Sequence, residues 1–268
     1  MSEVLARLLD VRPEDLPDVF TGAPNGPSGK RAYGGLLTAQ ALAASGRAIG
    51  PGRRPTSLHT QFLRGGDAGE PVRYAVERVY DGRTAVSRRV LVGQAGRLLA
   101  TATASFATSA PGPRHADRTD STDDPEGLPR TGPIGPAPAL PPGEIDIRIH
   151  DYGSGVAFVR RLWWRVTSAL PDDPLVHACA AVFVTDIYGV DAVLAVHGSS
   201  MTDRSHRAGT TDSSIWFHDD IRADEWNLME SRSPAAGRGR GVMIAGLFAA
   251  DGARVATLVH EGQAVTRE

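Results

Sequence analysis

The chain has 268 residues, and its 41% hydrophobic and 22% charged residues are typical of a soluble globular protein with a sizeable core. A net charge of −2 argues against nucleic-acid binding, and no apolar run approaches the roughly 20 residues of a membrane helix. The only cysteine, Cys179, excludes an intrachain disulfide and a multi-cysteine metal site. The first residues lack the pattern of a secretory signal, so we expect a cytoplasmic protein with no nucleic-acid or membrane partner.

The first half is predicted to run from a short helix to an antiparallel meander. Its opening segment, MSEVLARLLDVRPEDL, places four apolar residues on one helical stripe: Val4, Leu5, Leu8 and Leu9. A longer helix is predicted for YGGLLTAQALAASGRAI, residues 33–49. Four strand-like segments with turn residues between them follow: SLHTQFLR, VRYAVERVYDG, TAVSRRVLVG and LLATATASF.

A segment rich in proline, glycine, aspartate and threonine, residues 108–144, divides the chain. It holds almost no large apolar side chains, so it has too little surface to bury to offset the entropy of ordering. We interpret it as an extended linker between an N-terminal domain, residues 1–107, and a C-terminal domain, residues 145–268.

The second domain repeats the element order of the first. A helix is predicted for DPLVHACAAVFVTDIYG, residues 173–189, where Asp173 suits the N-cap and Pro174 the first helical turn. Four strand-like segments follow: SSIWFHDDI, NLMESRSP, RGVMIAGLFAADG and RVATLVHEG. One long helix followed by a meander, present twice, predicts an α+β fold in which each helix packs on a curved antiparallel sheet.

An internal alignment supports this duplication. GQAGRLLATATASF, residues 93–106, aligns without gaps with AADGARVATLVHEG, residues 249–262. Ala104 of the first copy then corresponds to His260 of the second. The strand of the second copy therefore carries a histidine where the first has a small apolar residue.

Eight stretches, in order over nearly the whole chain outside the linker, carry a family resemblance. They are YGGLLTAQAL, SLHTQFLRGGD, DGRTAVSRRV and ATASF in the first half, and VTDIYGVDAVLAVHG, TTDSSIWFHDDI, EW and DGARVATLVHEG in the second. In these stretches the chain resembles the acyl-CoA thioesterase II family. The resemblance implies a double-hotdog fold, two copies of a long helix wrapped by an antiparallel sheet, and an enzyme that hydrolyses acyl-CoA or a carrier-bound acyl thioester.

The resemblance also implies a catalytic group in the C-terminal domain. The family uses an aspartate on the second helix, a threonine or serine before the WFH strand, and a glutamine in the last strand. Asp186 and Thr210 match the first two positions, and His260 stands where the family has glutamine. The chemistry implied is attack by a water molecule that these groups activate and orient.

Considered without the resemblance, the three residues have plainer interpretations. Asp186 at a helix end can fray into solvent, and Thr210 can be a turn or capping residue where a strand begins. His260 shares a strand face with Ala256 and Leu258, so it can be a packed core histidine. In the active site, His260 either orients water as a neutral ring or pairs with Asp186 and acts as the base.

Four further residues are candidates for substrate binding. Gly34 and Gly35 open the first helix, where backbone N–H groups can stabilise an oxyanion. His59 lies in a strand expected to border the acyl tunnel, with packing or a surface position as the alternative. Arg64 can meet the phosphates of CoA, although a solvated arginine is the plainer interpretation.

Other activities remain as alternatives. His197, His206 and His218 form no zinc pattern with a cysteine, so we expect neither metal nor cofactor. Because the family's glutamine is replaced, two alternative hypotheses remain. The protein catalyses another reaction on an acyl thioester or biosynthetic intermediate, or it binds acyl thioesters without catalysis. A homo-oligomer that packs through sheets or helices is also compatible with the sequence.

Overall fold

The computed structural model describes residues 3–24, 26–131 and 143–267. The elements of the N-terminal half are α1 (Glu3–Leu9), β1 (Arg12–Pro13), β2 (Val19–Gly22), α2 (Gly34–Arg47), β3 (Arg54–Phe62), β4 (Val72–Asp81), β5 (Ala85–Gln94) and β6 (Arg97–Ala107). Those that follow are β7 (Arg130–Thr131), β8 (Ile145–Tyr152), β9 (Val159–Val166), α3 (Pro174–Thr185), α4 (Asp191–Ala195), β10 (His206–Phe217), β11 (Asn227–Gly237), β12 (Arg240–Phe248) and β13 (Arg254–Thr266).

The strands of the described residues form one antiparallel sheet in the order β1-β2-β4-β5-β6-β3-β10-β13-β12-β11-β9-β8-β7. The order β4-β5-β6-β3 in one half is mirrored by β11-β12-β13-β10 in the other, as the internal alignment predicts. The halves join where β3 pairs with β10, with Leu58 opposite Ile215. This duplicated helix-and-sheet arrangement confirms the double-hotdog α+β fold.

The two long helices pack against each other on the inner side of the sheet. Small residues on α2 permit this approach, and a side chain at Gly46 would collide with Leu175 near the start of α3. At the other end, a side chain at Gly35 would meet the carbonyl oxygen of Phe183. The helices are therefore antiparallel, and the first turn of α2 lies beside the last turn of α3.

The start and the end of α3 are set by different residues. The Asp173 carboxylate accepts a hydrogen bond of 2.9 Å from the backbone N–H of Leu175, which is the predicted N-cap. The predicted end at residue 189 is wrong, because the helix stops at Thr185 and Asp186 is its C-cap. Gly189, with φ +40°, then turns the chain toward α4, a left-handed conformation that favours glycine.

The described part of the linker lies against the C-terminal half. Asp123 makes a 2.8 Å hydrogen bond with His150, Trp226 donates to Glu126 at 3.1 Å, and Thr119 donates through its backbone to Gly252. Hydrogen bonds and ion pairs hold this segment in place. The expectation that it needs apolar burial to become ordered is therefore wrong. Residues 132–142 of the predicted linker lie outside the described residues.

The opening helix is present as predicted, with Leu5 and Leu9 buried on its stripe. The side chain of Val4, assigned to the same stripe, lies outside the part that the structure describes. Among the described helices, none has the length and apolar character to cross a membrane.

Candidate active site

The candidate site lies where the N-terminus of α2 meets the C-terminus of α3. The Tyr33 hydroxyl, at the N-cap of α2, donates a 2.6 Å hydrogen bond to the Phe183 carbonyl in the last turn of α3. The two rings also meet edge to face, with centroids 5.0 Å apart. This contact holds the two helix ends together and places Asp186 beside Gly34 and Gly35.

Asp186 is held by hydrogen bonds from two other elements. The Thr210 hydroxyl of β10 donates to Oδ1 of Asp186 across 2.8 Å. The backbone N–H of Gly35, in the first turn of α2, donates to the same carboxylate. A Cβ on Gly34 would lie 2.7 Å from Oδ2, so glycine is required for the carboxylate to come this close to the helix.

Burial raises the pKa of Asp186 to about 6. The hydrogen bonds from Thr210 and Gly35 and the positive charge of Arg31 oppose this effect, because each favours the ionised carboxylate. A carboxylate with a pKa near 6 is ionised at neutral pH and still basic enough to accept a proton from water.

Thr210 lies within β10 at a bulge, where the pairing with β13 shifts register between Thr210 and Asp212. The sequence had placed it at the start of a strand, but the strand begins four residues earlier, at His206. Bulges re-aim side chains next to functional sites. Here the bulge lies at the residue whose hydroxyl donates to Asp186. Gly189 leaves room for that hydroxyl, since a Cβ on Gly189 would lie 3.0 Å from the Thr210 oxygen.

His260 is almost completely buried on the inner face of β13, together with Ala256 and Leu258. It pairs across the sheet with Ser213 of β10, while Gly262, two residues further on, pairs with Thr210. Among the described residues, no hydrogen bond joins His260 to Asp186 or Thr210. The buried Nδ1 atom has no partner in that part of the chain, and burial lowers the pKa of the ring to about 4.

A pocket opens onto the Asp186–Thr210 pair. Both halves contribute apolar side chains to its wall: Leu37, Phe62, Ile187, Val190 and Met201. Gly34 and Arg64, predicted to bind substrate, are part of the lining, and Arg64 donates to the Leu98 carbonyl at 2.9 Å. The pocket therefore combines an apolar wall with a carboxylate and cationic side chains, which is the usual composition of a small-molecule site.

His59 lies elsewhere. It is exposed on the outer face of β3, where its Nδ1 atom is 2.9 Å from the Ser214 hydroxyl and its ring packs edge to face on Trp216. The structure therefore gives no support to a substrate contact by His59 in the pocket. Its neighbours Leu58 and Thr60 are buried and face inward.

Apart from the apolar wall, three residues of the site were not predicted from the sequence: Arg31 in the pocket lining, Tyr33 between the helices, and Gly189 beside Thr210. Tyr33 and Gly189 lie inside stretches that carry the family resemblance, and this position could have marked them as site residues. Arg31 precedes those stretches and had no signal of its own.

The duplicated hotdog, with a carboxylate and a hydroxyl paired at its helix junction, is the architecture of a hotdog-fold hydrolase. The family model described as the acyl-CoA thioesterase N-terminal domain matches residues 22–107, and that of the C-terminal domain matches residues 116–264. The chain therefore belongs to the acyl-CoA thioesterase family and is a thioester hydrolase.

Similar proteins extend over nearly the whole chain. The structure of acyl-CoA thioesterase II TesB2 from Mycobacterium marinum is 30% identical, with a TM-score of 0.82, over 98% of each chain. Human acyl-coenzyme A thioesterase 8 is 28% identical over 97% of this chain and 88% of its own. Acyl-CoA thioesterase 2 from Haemophilus influenzae is 26% identical over 98% of each.

Proposed function

We propose that this protein hydrolyses acyl-CoA thioesters by direct attack of water, with Asp186 as the general base. The observation that carries the proposal is the hydrogen bond between Asp186 and Thr210 in a pocket with an apolar wall. The similarity to acyl-CoA thioesterases of bacteria and human supports acyl-CoA as the substrate.

In the proposed reaction, the oxygen of water attacks the thioester carbonyl carbon while Asp186 takes one proton from the water. The C–S bond of the tetrahedral intermediate then breaks. The proton held by Asp186 passes to the departing sulfur, which leaves as the thiol of CoA. The products are the carboxylic acid and CoA, and Asp186 is ionised again for the next cycle.

The first turn of α2 is proposed to stabilise the oxyanion. Helix N-termini present N–H groups without intrahelical acceptors and carry partial positive charge. No side chain caps the N-terminus of α2, and its first turn contains no acidic residue. The N–H of Gly35 donates to Asp186, which leaves the neighbouring N–H groups of this turn for the carbonyl oxygen of the substrate.

His260 is proposed to orient the water or the substrate as a neutral ring. Its pKa of about 4 leaves it uncharged at neutral pH, and its buried Nδ1 atom has no partner among the described residues. A neutral imidazole donates from one nitrogen and accepts at the other, as a glutamine amide donates and accepts. The low pKa argues against the alternative in which His260 is the base.

Asp186→Asn tests the proposal. The variant keeps the shape of the side chain and removes the base, so release of free thiol from a panel of acyl-CoAs should fall about 1,000-fold. Asp212→Asn, on the same strand as Thr210, is the matched control and should retain activity. Turnover by Asp186→Asn at the wild-type rate would disprove the role of Asp186, and wild-type protein that binds acyl-CoA without releasing thiol would identify a binding protein.

A further inference from the structure

Arg31 lies at the rim of the pocket, on the seam between the two halves. A Cβ on Gly65, in the loop after β3, would be 3.6 Å from its Nε atom. A Cβ on Gly209, next to Thr210 in β10, would be 3.9 Å from its Nη2 atom. The guanidinium group therefore lies between two glycine residues, one from each half, neither of which has a side chain to cover it.

The guanidinium group of Arg31 has no hydrogen bond or ion pair with another residue in the described ranges. The other arginine of the pocket, Arg64, is engaged by the Leu98 carbonyl. A guanidinium group offers five N–H donors in a planar fork, and carboxylate and phosphate are the anions that match this geometry with two parallel hydrogen bonds. The described residues therefore leave all five N–H donors of Arg31 available to an anionic ligand.

Arg31 is also close to the reacting centre. It lines the same pocket as Asp186 and Thr210, and its charge favours the ionised form of Asp186. The diphosphate of CoA is separated from the thioester by the whole pantetheine arm. An anionic group that meets Arg31 while the thioester lies at Asp186 therefore belongs to the acyl chain.

We propose that Arg31 selects acyl thioesters whose acyl chain carries a carboxylate a few carbons from the thioester. This inference rests on the proposed thioesterase function and names its substrate class. The cavity volume of about 110 Å³ is small beside the ~300–1,000 Å³ of sites for drug-sized ligands, which favours a short chain. Leu37 and Phe62 provide apolar contacts for the methylene groups, and Arg31 binds the carboxylate.

The test compares glutaryl-CoA with pentanoyl-CoA, which have acyl chains of equal length and differ in the terminal carboxylate. Wild-type protein should show a kcat/KM about tenfold higher for glutaryl-CoA, the effect of one charge-assisted pair. Arg31→Gln should abolish this preference at pH 8, where Asp186 is ionised. Arg64→Gln is the matched control and should preserve the ratio. An equal loss of preference in both variants would assign the effect to net charge at the rim and overturn the proposal.

The same acyl groups on pantetheine, which lacks the phosphates, separate the two anions of the substrate. The proposal expects Arg31→Gln to abolish the glutaryl preference on pantetheine as well. If Arg31→Gln lowers kcat/KM for the two CoA thioesters alone, Arg31 contacts the phosphates of CoA. If it lowers kcat/KM equally for all four substrates, Arg31 acts on Asp186. Either result overturns the proposal. If wild-type protein hydrolyses none of them, the proposed function fails, and equilibrium binding of the glutaryl and pentanoyl pair tests Arg31 by the same ratio.

Discussion

Thr210 and Asp186 are 24 residues apart in the chain, and their side chains are joined by a hydrogen bond of 2.8 Å. One residue lies at a bulge inside β10 and the other caps the C-terminus of α3. Burial raises the pKa of Asp186, and the hydrogen bond from the Thr210 hydroxyl lowers it. The contact therefore helps to keep Asp186 ionised. This pair is the chemical centre of the proposed mechanism.

Thr210→Val should lower kcat about 100-fold, because the isosteric side chain removes the hydrogen bond that orients the base. Thr211→Val is the matched control, since the Thr211 hydroxyl bonds to Glu261 on the other side of the strand. Steady-state rates of thiol release measure both. Similar losses in the two variants would point to a general disturbance of the bulge.

The pH dependence of kcat/KM should have an acid limb near pH 6. Asp186 must be ionised to accept a proton, and its pKa is about 6. Activity should therefore fall to about one-tenth of its plateau at pH 5 and stay level above pH 7. Rates measured from pH 4.5 to 8.5 in buffers of constant ionic strength give the profile. A limb near pH 4 would assign the titration to another group.

His260→Gln should retain hydrolysis within about tenfold of wild type and keep the acid limb near pH 6. Glutamine, like a neutral imidazole, both donates and accepts a hydrogen bond. His260→Leu, which has neither group, should lose activity while remaining folded. The disappearance of the acid limb in His260→Gln would identify His260 as the base.

Asp186→Asn should be more stable than wild type at pH 8. The folded-state pKa of Asp186 lies above its ordinary value of 3.8, so its favourable contribution exists below about pH 4 and is lost as pH rises through about 6. Asparagine has no charge to desolvate, and the gain should be about 1–3 kcal/mol in the free energy of unfolding. Denaturant unfolding at pH 8 and pH 4 measures the difference, which should shrink at the lower pH.

Gly34→Ala should lower kcat about 100-fold with little change in stability. The added Cβ would lie 2.7 Å from Oδ2 of Asp186 and 3.2 Å from the Phe62 ring, so the carboxylate must move away from the thioester. Alanine is acceptable in the first turn of a helix. Gly112→Ala, whose Cβ would meet no atom within 4 Å, is the control. Unchanged kcat in Gly34→Ala would show that Asp186 has room to move.

Much of the fold follows from local patterns in the sequence. A long helix followed by strands with turn residues between them appears twice in the same order, so the duplication and the α+β class were predictable. β8 and β9 were not predicted. Their segments were part of no repeated pattern, and they are strands because β8 pairs with β9 and β9 pairs with β11 near the edge of the sheet.

The repeat, the common strand face of His260, Ala256 and Leu258, and the family whose motif contains Asp186 and Thr210 can all be read from the sequence. Strand periodicity groups residues on one face, but only the sheet decides which face is inside, and so His59 proved to face outward. Only the tertiary structure brought Asp186, Thr210 and Gly35 within hydrogen-bonding distance and placed Arg31 beside them. Those contacts depend on the antiparallel packing of two helices and on one β-bulge, which are properties of distant segments in contact.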